Sequence, residues 1–280
     1  MKRKCSELKR LSRASILGQL PLIICSYVIV SAIISIAENV FTSPISNMYE
    51  KAILEGFPYS MPSFTDWPVI CYAGLAAMFI VMLVSSIFGA GLIRINLDAA
   101  RGNQVKIGNV FSQFKSRPDR FIILTLILLL CACLPYAPSF VLLILCNLME
   151  FEGSTLTALT LTSIALLVIG MIISIYLSIK FKLAMYILVD TTSLSPFLAL
   201  KDSYRLMSGN VFRYIYIILS FIPMALLVLF TFGLGSLWVQ PYIDCTLANL
   251  YLDISGELNR KEEEEKRLEE EMGPSLDTYV

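Results

Sequence analysis

The chain alternates between long apolar blocks and short polar connections, and the blocks run close to 20 residues. At about 1.5 Å of rise per residue, a helical block of that length spans the hydrocarbon core of a bilayer. Six blocks read as spans: Leu17 to Ala37, Val69 to Leu92, Phe121 to Leu148, Leu156 to Ile179, Val211 to Phe232 and Leu234 to Leu252. The third holds Pro135 and Pro138, and its part before them is too short to cross alone. It therefore reads as one kinked helix, with a re-entrant pair of half-helices as the alternative. The pattern predicts an all-α fold, a polytopic transmembrane helix bundle of six spans over residues 1–255, with a charged tail over 256–280.

The connections carry patterns of their own. Glu38 to Pro68 is a proline-rich loop in which Ser43 and Pro44 have the form of a helix start and Gly56 that of a stop, while Trp67 and Tyr72 suit an interfacial belt. Ser195 to Gly209 reads as an amphipathic helix, capped by Ser195, begun by Pro196 and ended by Gly209. Phe197, Leu200, Tyr204 and Met207 fall at helical spacing on one face, so the helix is expected to lie at the membrane interface with that face toward lipid or the bundle. The tail from Gly256 alternates blocks of basic and acidic residues and reads as a water-soluble segment able to form a short helix.

Charge orients the bundle. Lys and Arg number 22 and balance 22 acids, so net charge says nothing, but their placement does. With six spans, 21 of the basic residues fall on one side, in the N-terminus, around Arg94 to Arg120, around Lys180 to Arg213 and in the tail, and only Lys51 falls on the other. Basic residues near spans are retained in the cytoplasm, which puts both termini there in a multi-pass protein of the cell membrane. The same asymmetry needs an uncleaved first helix and so argues against a signal peptide. Hydrophobic residues make up 56% of the chain and charged ones 16%, more apolar surface than a soluble fold can hide. The lipid bilayer is the first expected partner; an unidentified membrane protein or a second copy of the chain is the next, and no nucleic acid is expected.

The chemistry open to the chain is narrow. Histidine is absent, which removes imidazole bases, His-based metal sites and the usual nucleophile pairs. The seven cysteines show neither C-x-x-C nor metal-ligand spacing and read as small hydrophobes. No phosphate-binding, zinc-protease, hydrolase-elbow or dinucleotide motif occurs, so no cofactor, no metal and no catalytic residue is expected. Gly89-Ala90-Gly91 reads as close helix packing and Gly233-Leu234-Gly235 as a tight outer turn. One polar group stands out: Asp244 near the centre of the sixth span, one turn after Gln240 and just past Pro241, with Tyr242 and Thr246 beside it. A carboxylate at a helix centre costs about 2.5 to 3.5 kcal/mol on insertion scales, so Gln240, Tyr242, Asp244 and Thr246 are expected to form an intramembrane polar site facing protein or water. No Lys or Arg is seen at matching depth. Two readings follow for Asp244: a proton- or cation-linked site, or a protonated acid bonding one helix to another.

Two stretches resemble a known family. Leu97-Asp98-Ala99-Ala100-Arg101-Gly102-Asn103 through Lys106 and Val110-Phe111-Ser112-Gln113-Phe114-Lys115 is similar to its inner loop. The longer stretch runs from Met185-Tyr186-Ile187-Leu188-Val189-Asp190 through Ala199-Leu200-Lys201-Asp202-Ser203-Tyr204-Arg205 to Trp238-Val239-Gln240-Pro241-Tyr242-Ile243-Asp244. On these residues the chain resembles the bacterial integral membrane proteins grouped as domain of unknown function 975, departing where that family has a neutral residue in place of Asp244. The resemblance implies a multispanning bacterial membrane protein and no activity. By elimination a structural or partner-binding membrane protein is expected first, a small-solute or ion-coupled transporter second, and an enzyme last.

Overall fold

A computed structural model describes residues 3–54, 69–148 and 153–272, and among them the chain is helical, with no strand. Thirteen α-helices follow one another: α1 Cys5–Ile16, α2 Leu20–Leu54, α3 Val69–Ala100, α4 Ser112–Lys115, α5 Asp119–Cys133, α6 Ala137–Leu148, α7 Gly153–Lys180, α8 Ala184–Asp190, α9 Pro196–Met207, α10 Val211–Leu219, α11 Ile222–Phe230, α12 Ser236–Ile254 and α13 Glu257–Met272. Among the described residues five stretches are long and apolar enough to cross a membrane, over residues 20–47, 69–100, 119–146, 153–190 and 211–230. The sixth expected span, 234–252, corresponds to α12, which is not among those five. α12 holds Gln240, Asp244 and Asp253 and buries ten of its residues against the rest of the protein.

α2 and α3 form an antiparallel pair. Gln19 bonds Asn103 and Val105 at one end, Asn96 donates to Tyr27 further along, and the Cys71 thiol meets the Pro44 carbonyl at the far end. α2 continues without a break through Ser43 and Pro44, so the helix start expected there is not made. Pro44 sits inside the helix, where the sequence offers no glycine or second proline to stop it. The loop beyond residue 54, with Trp67, lies outside the described residues.

α5, a 3-10 turn over Leu134–Tyr136 and α6 run in succession along α7, antiparallel to it. Ser174 donates to Ala132 O at 3.1 Å, and Ser139 to Ser163 O at 2.8 Å. The prolines thus kink one helix rather than separate two. At the kink the Pro135 carbonyl lies 2.6 Å from where a Cβ on Gly170 would sit, so only glycine permits that approach.

The basic connections meet at one end of the bundle. After α3 the chain folds back along that helix, and Val110 O lies 2.0 Å from the Cβ position of Gly91, which explains the glycine in Gly89-Ala90-Gly91. Phe88 packs edge-on against Phe111 and Phe114. Arg120 donates to Thr191 O and Leu194 O, Lys180 to the Ser208 hydroxyl, and Ser203 to Lys180 O. Two ion clusters tie in the termini: Arg101 bridges Asp190 and Glu257 at 2.8 and 2.7 Å, and Asp253 lies between Arg213 at 2.6 Å and Arg3 at 3.6 Å. Between them sits the main apolar core, including Phe121, Leu183, Leu188, Met207, Leu250 and Leu252.

α9 forms where expected, with Ser195 Oγ accepting from Leu198 N and Gly209 in the left-handed region at φ +87°. Its expected single face is split. Leu200 and Met207 are buried with Pro196, Ala199 and Ser203, whereas Phe197 and Tyr204 stay 68% and 44% exposed. The small side chains of Ala199 and Ser203 let α9 press close, and that contact turns the two aromatic rings outward. Tyr204 lies instead beside Phe181, with the Lys180 ammonium 4.8 Å from its ring centre.

Candidate functional site

Pro241 cannot donate the helical bond to Leu237 O, so α12 is locally loosened one turn before Asp244. Gln240 lies four residues before Asp244, on the same face, and its Nε2 donates to Asp244 Oδ2 at 3.0 Å. A second donor comes from another helix: the Tyr27 hydroxyl of α2 reaches the same Oδ2 at 2.6 Å. Tyr27 is in turn held by α3, where Asn96 Nδ2 donates to its oxygen at 2.7 Å and to Leu92 O at 2.9 Å. Three helices thus converge on one carboxylate through the chain Asn96 to Tyr27 to Asp244. Tyr27 and Asn96 are buried, and Asn96 Oδ1 has no hydrogen-bond partner.

Of the four residues expected to form a polar site, two come together and two do not. Tyr242 points away, its hydroxyl donating to Lys9 O at 3.3 Å and its ring packing edge-on against Phe221. Thr246 returns its hydroxyl to the Tyr242 carbonyl of its own helix at 2.7 Å. A threonine hydroxyl within a helix can bond the carbonyl four residues before it and so needs no partner from another helix.

Asp244 borders a cavity of about 570 Å³ lined mainly by α3, α5 and α7. Its walls are mainly apolar, with Met82, Leu128 and Leu177 among them, and Ser86, Thr125 and Ser178 add hydroxyls. Tyr27, Tyr186, Asp244 and Lys182 complete the polar part of the lining. Both hydrogen bonds to Asp244 fall on Oδ2, and Asp244 is one of the residues that line the cavity. Lys182, the one cation among the described residues of the lining, is not part of the polar site expected from the sequence. In sequence it follows the end of a span, but α7 turns through Phe181 to Leu183 into α8, and that turn makes Lys182 part of the cavity wall. The two charges line one space without forming a direct ion pair.

The volume falls in the range of about 300 to 1,000 Å³ that small-molecule sites occupy, and the lining has the usual form of an apolar wall with a few convergent polar groups. The arrangement can accept a hydrogen bond or a positive charge at Asp244 and offer one at Lys182. Among the described residues no group of three His, Cys, Asp or Glu side chains is placed to hold a metal ion.

Tyr27 and Asn96 escape a reading of the sequence because nothing in either helix alone sets them apart from its other polar residues, and only the α2–α3 register joins them. The usable signal is the pair itself: two interior polar residues at equal distance from the basic end of two adjacent antiparallel helices. No curated protein and no solved structure matches the chain. The family model described as a protein of unknown function (DUF975) matches residues 1–258, which extends the resemblance over the N-terminal helices and the first loop and leaves out only the last 22 residues. The chain therefore belongs to the DUF975 family.

Proposed function

We propose that this protein is a small-solute binding protein of the membrane, in the transporter class, with its basic end in the cytoplasm. The solute is a compact amphipathic molecule with a cationic or zwitterionic head and an apolar body. Asp244 receives the positive group, Lys182 receives an anionic one where the solute has it, and the walls from α3, α5 and α7 hold the apolar part. One observation carries this reading: a carboxylate bonded from α2 through Tyr27, itself held by Asn96 of α3, borders a cavity large enough for a solute. A carboxylate that served only to join helices would have no need of the cavity. Intramembrane acids are functional candidates by default, since their insertion is expensive.

The test compares the natural chain with Asp244→Asn, purified in detergent and reconstituted into liposomes, against a panel of organic cations and zwitterionic amino acids. A charged hydrogen bond contributes about 1.5 to 3 kcal/mol, so the variant should lose roughly 10- to 100-fold in binding or uptake of the best solute. Its thermal stability should change little, because the amide keeps the shape and can still accept from Tyr27. Equal binding and uptake by the two proteins would sink the reading.

A partner-binding role is supported by a different feature. Beyond its contacts to Arg101 and Arg3, α13 exposes Glu263, Glu264 and Glu265, a surface suited to a basic partner.

A further inference from the structure

α10 to α12 form a hairpin whose reach can be measured against α2. α12 is fixed to α2 where Asp244 meets Tyr27, 2.6 Å apart. Beyond Tyr27, α2 runs another 17 residues to Pro44, still paired with α3 at Cys71, a distance of about 25 Å. From Asp244 to the start of α12 at Ser236 there are eight residues, about 12 Å if α12 stands parallel to α2 and less if it is inclined. The hairpin therefore turns roughly 10 Å or more short of the level of Pro44. Its other arm agrees. α10 is held at the basic end by Arg213, which pairs with Asp253 and donates to Arg3 O, and Lys9 donates to Ser220 O at 3.0 Å. Only ten residues of α11 and its approach remain beyond that point.

The tip is built for lipid. No charged residue lies between Arg213 and Asp244. Phe230, Phe232 and Leu234 are 80%, 99% and 67% exposed, a set of side chains that water would not tolerate together on a loop. The turn also satisfies its own backbone. The amides of Thr231, Phe232, Gly233, Leu234 and Ser236 all bond to carbonyls of the turn or of α11, and Gly235 N donates to the Thr231 hydroxyl at 2.8 Å. The Ser236 hydroxyl donates to Gly233 O. Phe232 and Gly233 adopt positive φ, 51° and 91°, to close this compact turn. A turn facing water could leave such groups to the solvent, but one inside a bilayer cannot.

We infer that the segment from Val211 to Ile254 is a re-entrant hairpin, which enters the bilayer from the basic end, turns among the acyl chains of that leaflet and returns to the same side. The chain then crosses four times instead of six. The even number keeps both termini on one side, and the 21-to-1 division of basic residues is identical for the two arrangements, so charge alone does not separate them. The turn at Gly233 lies in lipid, not on the outer face.

A membrane-impermeant maleimide applied to intact cells separates the two arrangements, with single cysteines at Leu234→Cys or Ser236→Cys in a cysteine-free background and Ser60→Cys in the first loop as the outward-facing reference. Residue 60 should be labelled, while 234 and 236 should react at least tenfold less, although both react once the membrane is dissolved. Labelling of 234 at the rate of residue 60 would overturn the inference. A spin label at 234 in liposomes supplies the second reading. Relaxation dominated by molecular oxygen places it among acyl chains, and relaxation dominated by an aqueous nickel chelate would equally overturn the proposal.

Discussion

The two halves of the bundle hold themselves together by different chemistry. At the basic end, α12 buries Cys245 through Asp253 without interruption, the core is made of large side chains such as Phe121, Leu188 and Leu252, and buried charges are matched in the Arg101 and Asp253 clusters. In the apolar half, α7 buries only Ser163, Gly170, Ser174 and Lys180, the last of these already at the basic end. The contacts there pass through small residues and single hydroxyl-to-carbonyl bonds, while Leu161, Ile164, Ile172 and Ile175 remain exposed. The difference follows from the solvent each half meets. Burying a large apolar side chain is worth about 1.5 to 3 kcal/mol when the alternative is water and little when it is an acyl chain, so only the end near water builds a large-residue core. The Asp244 carboxylate lies at the junction of the two regimes, where a polar network can be fixed by a rigid core yet open onto an apolar cavity.

Removing one anchor from each half should destabilise the two halves unequally. Asp253→Asn leaves the Arg3 and Arg213 guanidiniums together without their shared carboxylate, and breaking a buried ionic cluster of this kind should destabilise by about 3 kcal/mol. Ser174→Ala removes one interhelical hydrogen bond in the apolar half and should cost about 0.6 kcal/mol. Thermal unfolding in one detergent measures both. Equal losses, or a larger loss at Ser174, would mean that the two halves are not stabilised differently.

A smaller effect comes from pH. Arg101 donates two hydrogen bonds to Glu257, at 2.8 and 2.7 Å, and holds its carboxyl below the usual glutamate range; in return the Arg101 guanidinium is held above its ordinary value, chiefly by Glu257 and then by Asp190. A depressed folded value means that the contact stabilises fully above the ordinary glutamate pKa of about 4.3 and is lost as pH falls through the lower folded value. Glu257 is partly open to solvent, so the contribution is below about 1 kcal/mol. Protease cleavage of α13 should therefore be slow at pH 7 and 5 and accelerate below about pH 4, and Glu257→Gln should cleave at the faster rate throughout. A natural chain cut at the same rate at every pH would remove the clamp from the account.

Much of the fold is legible in the sequence because bilayer-length apolar blocks and the segregation of Lys and Arg are long-range signals that need no knowledge of contacts. The proline kink and the capped helix from Ser195 are legible for the opposite reason, since each is decided within a few residues. What escapes lies between those scales. Gln240 and Asp244 can be paired from their spacing on one helix, but Tyr27, Asn96 and Lys182 reach the same place through helix register and a turn after α7. Phe197 and Tyr204 share the spacing of Leu200 and Met207, and only the close approach allowed by Ala199 and Ser203 decides which stripe is buried. The length of α12 suits a span, whereas its density of polar and buried residues belongs to the core of the basic end.

On the solute-binding reading Asp244 presents a carboxyl to an open, mainly apolar cavity. Peptide mass spectrometry of liposomes treated with a hydrophobic carbodiimide tests it directly, since that reagent reaches carboxyls through apolar space. Asp244 should be modified ahead of the other 21 acidic residues, and the solute that binds best should slow its modification. Modification of the ion-paired or water-exposed acids with Asp244 left intact would contradict the claim.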